Sequence, residues 1–394
     1  MQNAFDFLSV LGYQYKMQIC NMKTVAKITV NRWISLGLLL MACVLLFVLS
    51  YFPQQIEAYY SVGCYPVLAK MLRFLTGIIP FSIGDIGYII ISIYLIYKFL
   101  QLLLRIKKES LSKQLLKGIS LKCIKTGLWC YLIFKLFWGL NYDRLGIAHQ
   151  LALSPKLYSK EAVVEITHQL IDSLNACRRQ FKDSVLPDFS SKSITQKAVK
   201  GYEHAAVNWP FLNYTQPSVK QSLYSVLGDY IGFTGYFNPI SGEAQVRSDI
   251  PNVLIPYITC HEMAHQLGYA SESEANFVGY LSAIASRDLY FRYSAYLELF
   301  TYAQSEEIVL FGKEKDFKAF EATLLYNRTH LDRLVIKDRK AIRAFFQKRQ
   351  NRLSPAVTSM YDQYLKLNKQ AAGIESYNEV IGWLIAYQQK NGGI

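Results

Sequence analysis

The chain has 394 residues, 52% of them hydrophobic and 18% charged, with a formal net charge of +14 and a mean hydropathy of +0.12. It is too apolar for disorder and long enough for more than one structural unit. Residues 1–144 carry 16 Lys and Arg against 5 Asp and Glu, and the other 250 carry 27 against 24. The basic excess thus flanks apolar segments, as in membrane proteins, and argues against a nucleic-acid surface.

Residues 1–32 read as a cytoplasmic segment carrying Lys16, Lys23, Lys27 and Arg32, without the small-residue cleavage site of a signal peptide. A membrane region follows over 33–144, with three hydrophobic segments. Residues 33–52 are uncharged for long enough to cross the roughly 30 Å hydrocarbon layer as a helix. Residues 83–104 hold only Asp85 near the start and Lys98 near the end. Residues 126–142 (TGLWCYLIFKLFWGLNY) are interrupted by Lys135. It is either a buried cation paired with Asp85 or, as the preferred reading, a snorkelling lysine on a tilted or interfacial helix, with Trp129, Trp138 and Tyr142 in an interfacial belt.

Between the second and third segments lie seven Lys and Arg, from Arg105 to Lys125, against Glu109 alone, so this loop and the N-terminus are expected in the cytoplasm. Three crossings put residues 145–394 outside the cytoplasm; two would leave them inside. The lipid bilayer is the first expected partner, in a multi-pass protein of the bacterial inner membrane.

Residues 145–394 read mostly as helices, near 159–181, 195–208, 256–267, 272–286, 287–305, 315–328, 332–350, 355–368 and 377–390. Ser159 is a candidate N-cap. The Gly-, Pro- and Asn-punctuated stretch 224–246 suggests short strands in a small sheet. Within it, residues 242–246 are either an edge strand able to pair with an extended peptide or an ordinary hairpin strand. The seven cysteines include no CxxC, and Cys177 and Cys260 are expected as free buried thiols.

Two of the six histidines form His261-Glu262-Met263-Ala264-His265, an HExxH motif. Pro256 suits the start of a helix and Gly268 its left-handed end. Four residues apart on one helix, both imidazoles point to one side and can share a zinc ion, while Glu262 reaches past the metal to move protons as a general base. A catalytic zinc needs a third protein ligand. Ser271 stands where a metzincin has its third histidine. Carboxylates remain, and Glu272 is preferred over Glu274 because Asn276, four residues on, can orient a ligand from behind.

HEMAHQLG followed by ESEANF, the upstream NPISGEAQV, three N-terminal hydrophobic segments and the WGLNYDR junction resemble an uncharacterised family of three-span bacterial membrane proteins bearing a zincin-like domain. The resemblance covers most of the chain. It implies a glutamate-zincin arrangement, in which Glu272 is the third ligand and Asn276 its supporting partner. The expected fold is mostly α, with transmembrane helices followed by an α+β zincin-like domain that has a small sheet and an HExxH helix. The expected function is a zinc metallopeptidase cutting an envelope protein or peptide. The alternatives are a non-catalytic sensor or scaffold whose zincin-like domain binds metal, and a purely structural HEMAH helix.

Overall fold

Apolar residues at helical spacing fold as helices over most of the chain, beside one three-stranded sheet. The structure, a computed structural model, describes residues 33–109, 112–153, 158–181, 186, 190–351, 354–373 and 378–394; the basic segment 1–32 lies outside these. Numbering the longer helices only, they are α1 (Trp33–Leu49), α2 (Tyr65–Gly77), α3 (Ile83–Glu109), α4 (Lys113–Phe137), α5 (Lys160–Gln180), α6 (Ser191–Asn208), α7 (Ile255–Gln266), α8 (Glu272–Ala285), α9 (Leu289–Glu314), α10 (Phe317–His330), α11 (Arg333–Lys348), α12 (Ser354–Leu367) and α13 (Val380–Asn391). The strands are β1 (Val219–Gln221), β2 (Gly235–Asn238) and β3 (Glu243–Val246).

The chain divides into two units, residues 1–51 with 102–136 and residues 52–101 with 137–394. In the first, Cys43 Sγ donates to the Leu128 carbonyl (3.4 Å) and Lys125 Nζ to Ser35 Oγ (3.2 Å), tying α1 to α4. Residues 83–108 of α3 are long and apolar enough to cross a membrane, and Trp33–Leu49 qualifies only in combination with Pro53–Gly77, as one broken span. The segment expected at 126–142 is the end of a longer helix, α4, which starts at Lys113 and stops at Phe137. Trp138 does not join an interfacial belt: it is 3% exposed and packs on Phe237, ring centroids 4.6 Å apart. Its indole meets protein because the chain turns inward through a 3-10 helix at 139–143.

In the second unit, α9 packs along α5, and α7 lies between the sheet and helices α6, α8 and α9. Ser159 caps α5 as expected, accepting from the Ala162 N–H. The sheet order is β1-β3-β2, β3 pairing parallel with β1 and antiparallel with β2. Residues 243–246 are therefore the fully buried central strand and not an edge, and β2 holds the edge position next to α7. The domain boundary expected at 144/145 falls inside this unit, which also takes in residues 52–101. There α2 turns Tyr65, Ala69, Arg73 and Thr76 inward. Thr76 Oγ1 lies 2.8 Å from Ser218 Oγ at the start of β1.

Glu243 of β3, fully buried, caps α3. Its carboxylate accepts from the backbone N–H of Gly84 (2.6 Å) and Ile83 (3.0 Å) and from Ser82 Oγ (3.3 Å). Asp85 in the next position accepts from the Leu223 N–H (2.8 Å) and Tyr236 Oη (2.6 Å). Two carboxylates at a helix N-terminus complement its dipole, and both also hold the sheet. Glu243→Ala leaves two buried N–H groups without acceptors. The expected cost is about 2–3 kcal/mol, read as a lowered Tm of the full chain in detergent and partly restored in Glu243→Gln. An unchanged Tm would contradict the cap.

Candidate metal centre

Helix α7 is buried along its whole length although it carries Thr259, His261, Glu262, His265 and Gln266. Buried polar groups need partners, and the two ends of α7 find theirs in neighbouring segments. At the start, Pro256 fits the first turn and Ser294 Oγ accepts the Tyr257 N–H (3.1 Å). At the end, Gln266 donates to the carbonyls of Ser218 (2.9 Å) and Gly242 (2.8 Å) and accepts from Tyr214 Oη (2.6 Å). Arg73 Nη1 donates to the Gln266 carbonyl (2.8 Å) and Tyr65 Oη to that of His265 (3.5 Å). Gly268, at φ +93°, then turns the chain into α8, as the left-handed end requires.

The two histidines face one another as their spacing predicts. Their Nε2 atoms are 3.2 Å apart with the rings nearly perpendicular. Glu272 Oε2 lies 3.2 Å from His261 Nε2 and 3.5 Å from His265 Nε2. These three buried side chains form a group able to hold a metal ion, the one such group among the described residues. A tetrahedral ion bonded at about 2.0–2.1 Å has ligand edges of about 3.3–3.4 Å, so the observed triangle has the size of one face of that tetrahedron. His265 Nδ1 sits 2.7 Å from the Tyr269 carbonyl, which can only accept. The ring proton of neutral His265 is thereby placed on Nδ1, leaving the Nε2 lone pair toward the shared point.

Glu272 is brought there by the phase of α8. Glu272, Asn276 and Gly279 share one face of that helix, and Gly279 meets the backbone of α7 closely: a Cβ on it would lie 3.1 Å from His261 Cα and N. The Glu272 N–H donates to Gln370 Oε1 (3.0 Å), and Tyr361 Oη donates to Glu272 Oε1 (2.9 Å), leaving Oε2 toward the histidines. Glu274 points elsewhere, its Oε1 accepting the Ile147 N–H (2.7 Å) near Arg144. Asn276 lies near His261, opposing the effect of burial on its ring, and takes the Tyr257 hydroxyl on its backbone carbonyl (3.0 Å).

Burial holds His261 below the usual imidazole range. Burial opposes charge on His265 as well, but the Glu272 carboxylate outweighs it and raises that ring to about 9. Burial alone would raise Glu272; the two imidazoles hold it well below the carboxylate range instead. Glu262 belongs to no such pair, and burial pushes it up to about 8. The group is a set of two imidazoles and one carboxylate closed from water, the donor set that a cation displacing the His265 proton would meet.

Tyr361, Gln370 and Phe237 are neighbours that no motif indicates, and Trp138, the first residue of the WGLNYDR junction, joins them. Trp138 approaches His265 edge-on at 6.0 Å and Phe237 stacks at 6.5 Å. Of the other histidines, His168 and His330 flank Tyr326. Cys260 is fully buried, its thiol pushed up to about 12.

The chain belongs to a family of proteins of unknown function (DUF3810), which matches residues 60–385. No curated protein and no solved structure matches it. The matched span takes in α2, α3 and α4 together with the His261–His265–Glu272 group.

The purified full chain is expected to hold about one zinc ion, by elemental analysis, with His261→Ala and Glu272→Gln losing it and Glu274→Gln keeping it. Tyr361→Phe should weaken the affinity about tenfold. Metal retained in Glu272→Gln and lost in Glu274→Gln would reverse the assignment.

Proposed function

We propose that the protein is a membrane-anchored zinc metallopeptidase that hydrolyses peptide bonds in the cell envelope. The observation that carries the reading is the His261–His265–Glu272 triangle with Glu262 buried beside it. Two imidazoles and one carboxylate are a zinc donor set. Zinc, when bound, supplies Lewis-acid polarisation of the scissile carbonyl and brings the pKa of water from 15.7 to about 7. Glu262 takes the proton of the attacking water and delivers it to the leaving amine. The carboxyl of Glu262 faces β2: a Cβ on Gly235 would fall 2.5 Å from its Oε1. An extended peptide adding to the free edge of β2 would thus pass in front of the base.

Helix α3 supports that compartment. Its N-terminal end is bonded to the sheet through Glu243 and Asp85, and its C-terminal end carries Arg105, Lys107 and Lys108. A 27-residue helix is about 40 Å long, so the two ends belong on opposite faces of a bilayer. With the basic end cytoplasmic, the sheet and the metal group lie outside the cytoplasm, and α4 returns the chain across.

The second reading, a sensor or scaffold that binds metal without turnover, has one observation in its favour. His261, Glu262, His265 and Glu272 are each less than a tenth exposed, and a peptidase must admit substrate. Glu262→Gln decides between the two. It should keep zinc and lower cleavage of a peptide library by about 10²–10⁴-fold; unaltered cleavage removes the general base. Zinc binding with no cleavage by the wild-type chain leaves the sensor. Separately, a periplasm-active phosphatase fused after Ile394 should be active in a bacterial host. A silent fusion in an intact chain would put the domain in the cytoplasm.

A further inference from the structure

Helix α2 is built inside out. Its inward face carries Tyr65, Arg73 and Thr76, and its outward face carries Val67, Met71, Phe74 and Leu75, continued by Ile78, which are between 52% and 79% exposed. A helix against water has the opposite pattern, and an apolar stripe of this length seeks another medium. The inward polar groups are satisfied by the metal-bearing part of the unit. Arg73 donates to the carbonyls of Gln266 and Thr215 and lies over the Tyr214 ring. Glu57, just upstream, pairs with Arg144 at 2.7 Å.

Chain continuity identifies that medium. Five residues after α2 the chain enters α3, whose residues 83–108 can span a bilayer. A second apolar cluster stands at the same level. The Leu223 N–H is bonded to Asp85 in the first turn of α3, and Leu223, Val226, Leu227 and Ile231 are all exposed. Tyr59, Phe81 and Tyr230, exposed around the same segments, are residues typical of the lipid–water boundary.

We propose that α2 and the 223–231 turn rest on the bilayer surface, holding the metal centre at the lipid–water boundary, and that the substrate is a membrane-inserted polypeptide cut close to its point of insertion. The placement rests on α2 and its neighbours; only the substrate half rests on the peptidase reading. The link between membrane and centre is short. In β2, Tyr236 Oη bonds Asp85 of the spanning helix, and the adjacent Gly235 faces Glu262. Consecutive positions of a strand point to opposite faces, so β2 has the base on one face and the spanning helix on the other, and a peptide aligned on β2 would lie between the two.

The placement is tested with the full chain in phosphatidylethanolamine–phosphatidylglycerol vesicles, using the photoreactive substitutions Phe74→p-benzoylphenylalanine and Ile78→p-benzoylphenylalanine, with Leu325→p-benzoylphenylalanine on exposed α10 as control. Lipid adducts by mass spectrometry are expected at 74 and 78 and not at 325. Crosslinks to a second copy, or lipid adducts no more frequent at 74 and 78 than at 325, would overturn it. The substrate half is tested with one peptide sequence, offered either free or a few residues from a hydrophobic anchor in the same vesicles. Surface confinement should speed cleavage at least about tenfold, and Val67→Glu with Ile78→Glu should abolish that preference while the zinc content stays. Equal cleavage of both forms would overturn the substrate class. Lipid adducts with no cleavage of either would uphold the placement and overturn the peptidase reading together with its substrate.

Discussion

A carboxylate removed from water beside two imidazole nitrogens is the constraint around which the second unit is arranged. Burying an ion costs several kcal/mol unless charge and hydrogen bonds surround it, and Glu272 is 6% exposed. One of its oxygens takes the Tyr361 hydroxyl, and the other lies between His261 and His265. Each feature nearby serves that position. Gly268 turns the chain within a few residues of His265, Gly279 lets the two helices approach backbone to backbone, and Gln370 satisfies the first N–H of α8. A side chain at either glycine, or a helix starting one residue later, would rotate the carboxylate away from the imidazoles.

The centre is held from two directions by the same upstream segment. Residues 57–77 stabilise the carbonyl end of α7 through Tyr65 and Arg73 and the turn behind it through Glu57 and Arg144, which donates to the Gly268 carbonyl at 3.1 Å. A cation at a helix C-terminus complements the dipole. Ser82 to Asp85 meet the sheet through Glu243, Leu223 and Tyr236. Helix α7 and the sheet are therefore each fixed by chain lying between apolar segments.

The legible parts of the fold are those set by local pattern. HEMAH, the Gly268 turn, the Ser159 cap and most helices after 255 follow from spacing within one or two turns, and the structure has them close to where they are expected. The choice between Glu272 and Glu274 was half legible: a two-residue step rotates a side chain to another face of a helix, but which face meets α7 depends on packing at Gly279. What escapes sequence reading is long-range. Residues 53–81 fall between the first two hydrophobic segments, and within them α2 has apolar positions facing outward and polar ones inward, so periodicity gives amphipathicity without its sense. Trp138 carries the composition of an interfacial residue and is used as a wall beside His265. Tyr361 lies 89 residues from the glutamate it touches. Strand β3 became central because β1, too short to stand out in the pattern, pairs with it from upstream.

These contacts make the C-terminal part less autonomous than its length suggests. Residues 145–394 contain all the candidate ligands and most of the apolar core. They do not contain Arg73 and Tyr65, which satisfy the last carbonyls of α7, nor Arg144, the partner of Glu57, nor the N–H groups of Ile83 and Gly84 that neutralise Glu243. Without residues 52–101, Glu243 is a buried carboxylate with its helix removed, and the carbonyl end of α7 loses the Arg73 guanidinium. Each loss falls on a buried polar group, where an absent partner costs about 1–3 kcal/mol and more for a charge, against a typical total stability of about 5–15 kcal/mol. Residues 52–101 and the helix that presents His261 and His265 therefore belong to one compact unit, and loss of the first removes the partners that satisfy the carbonyl end of the second.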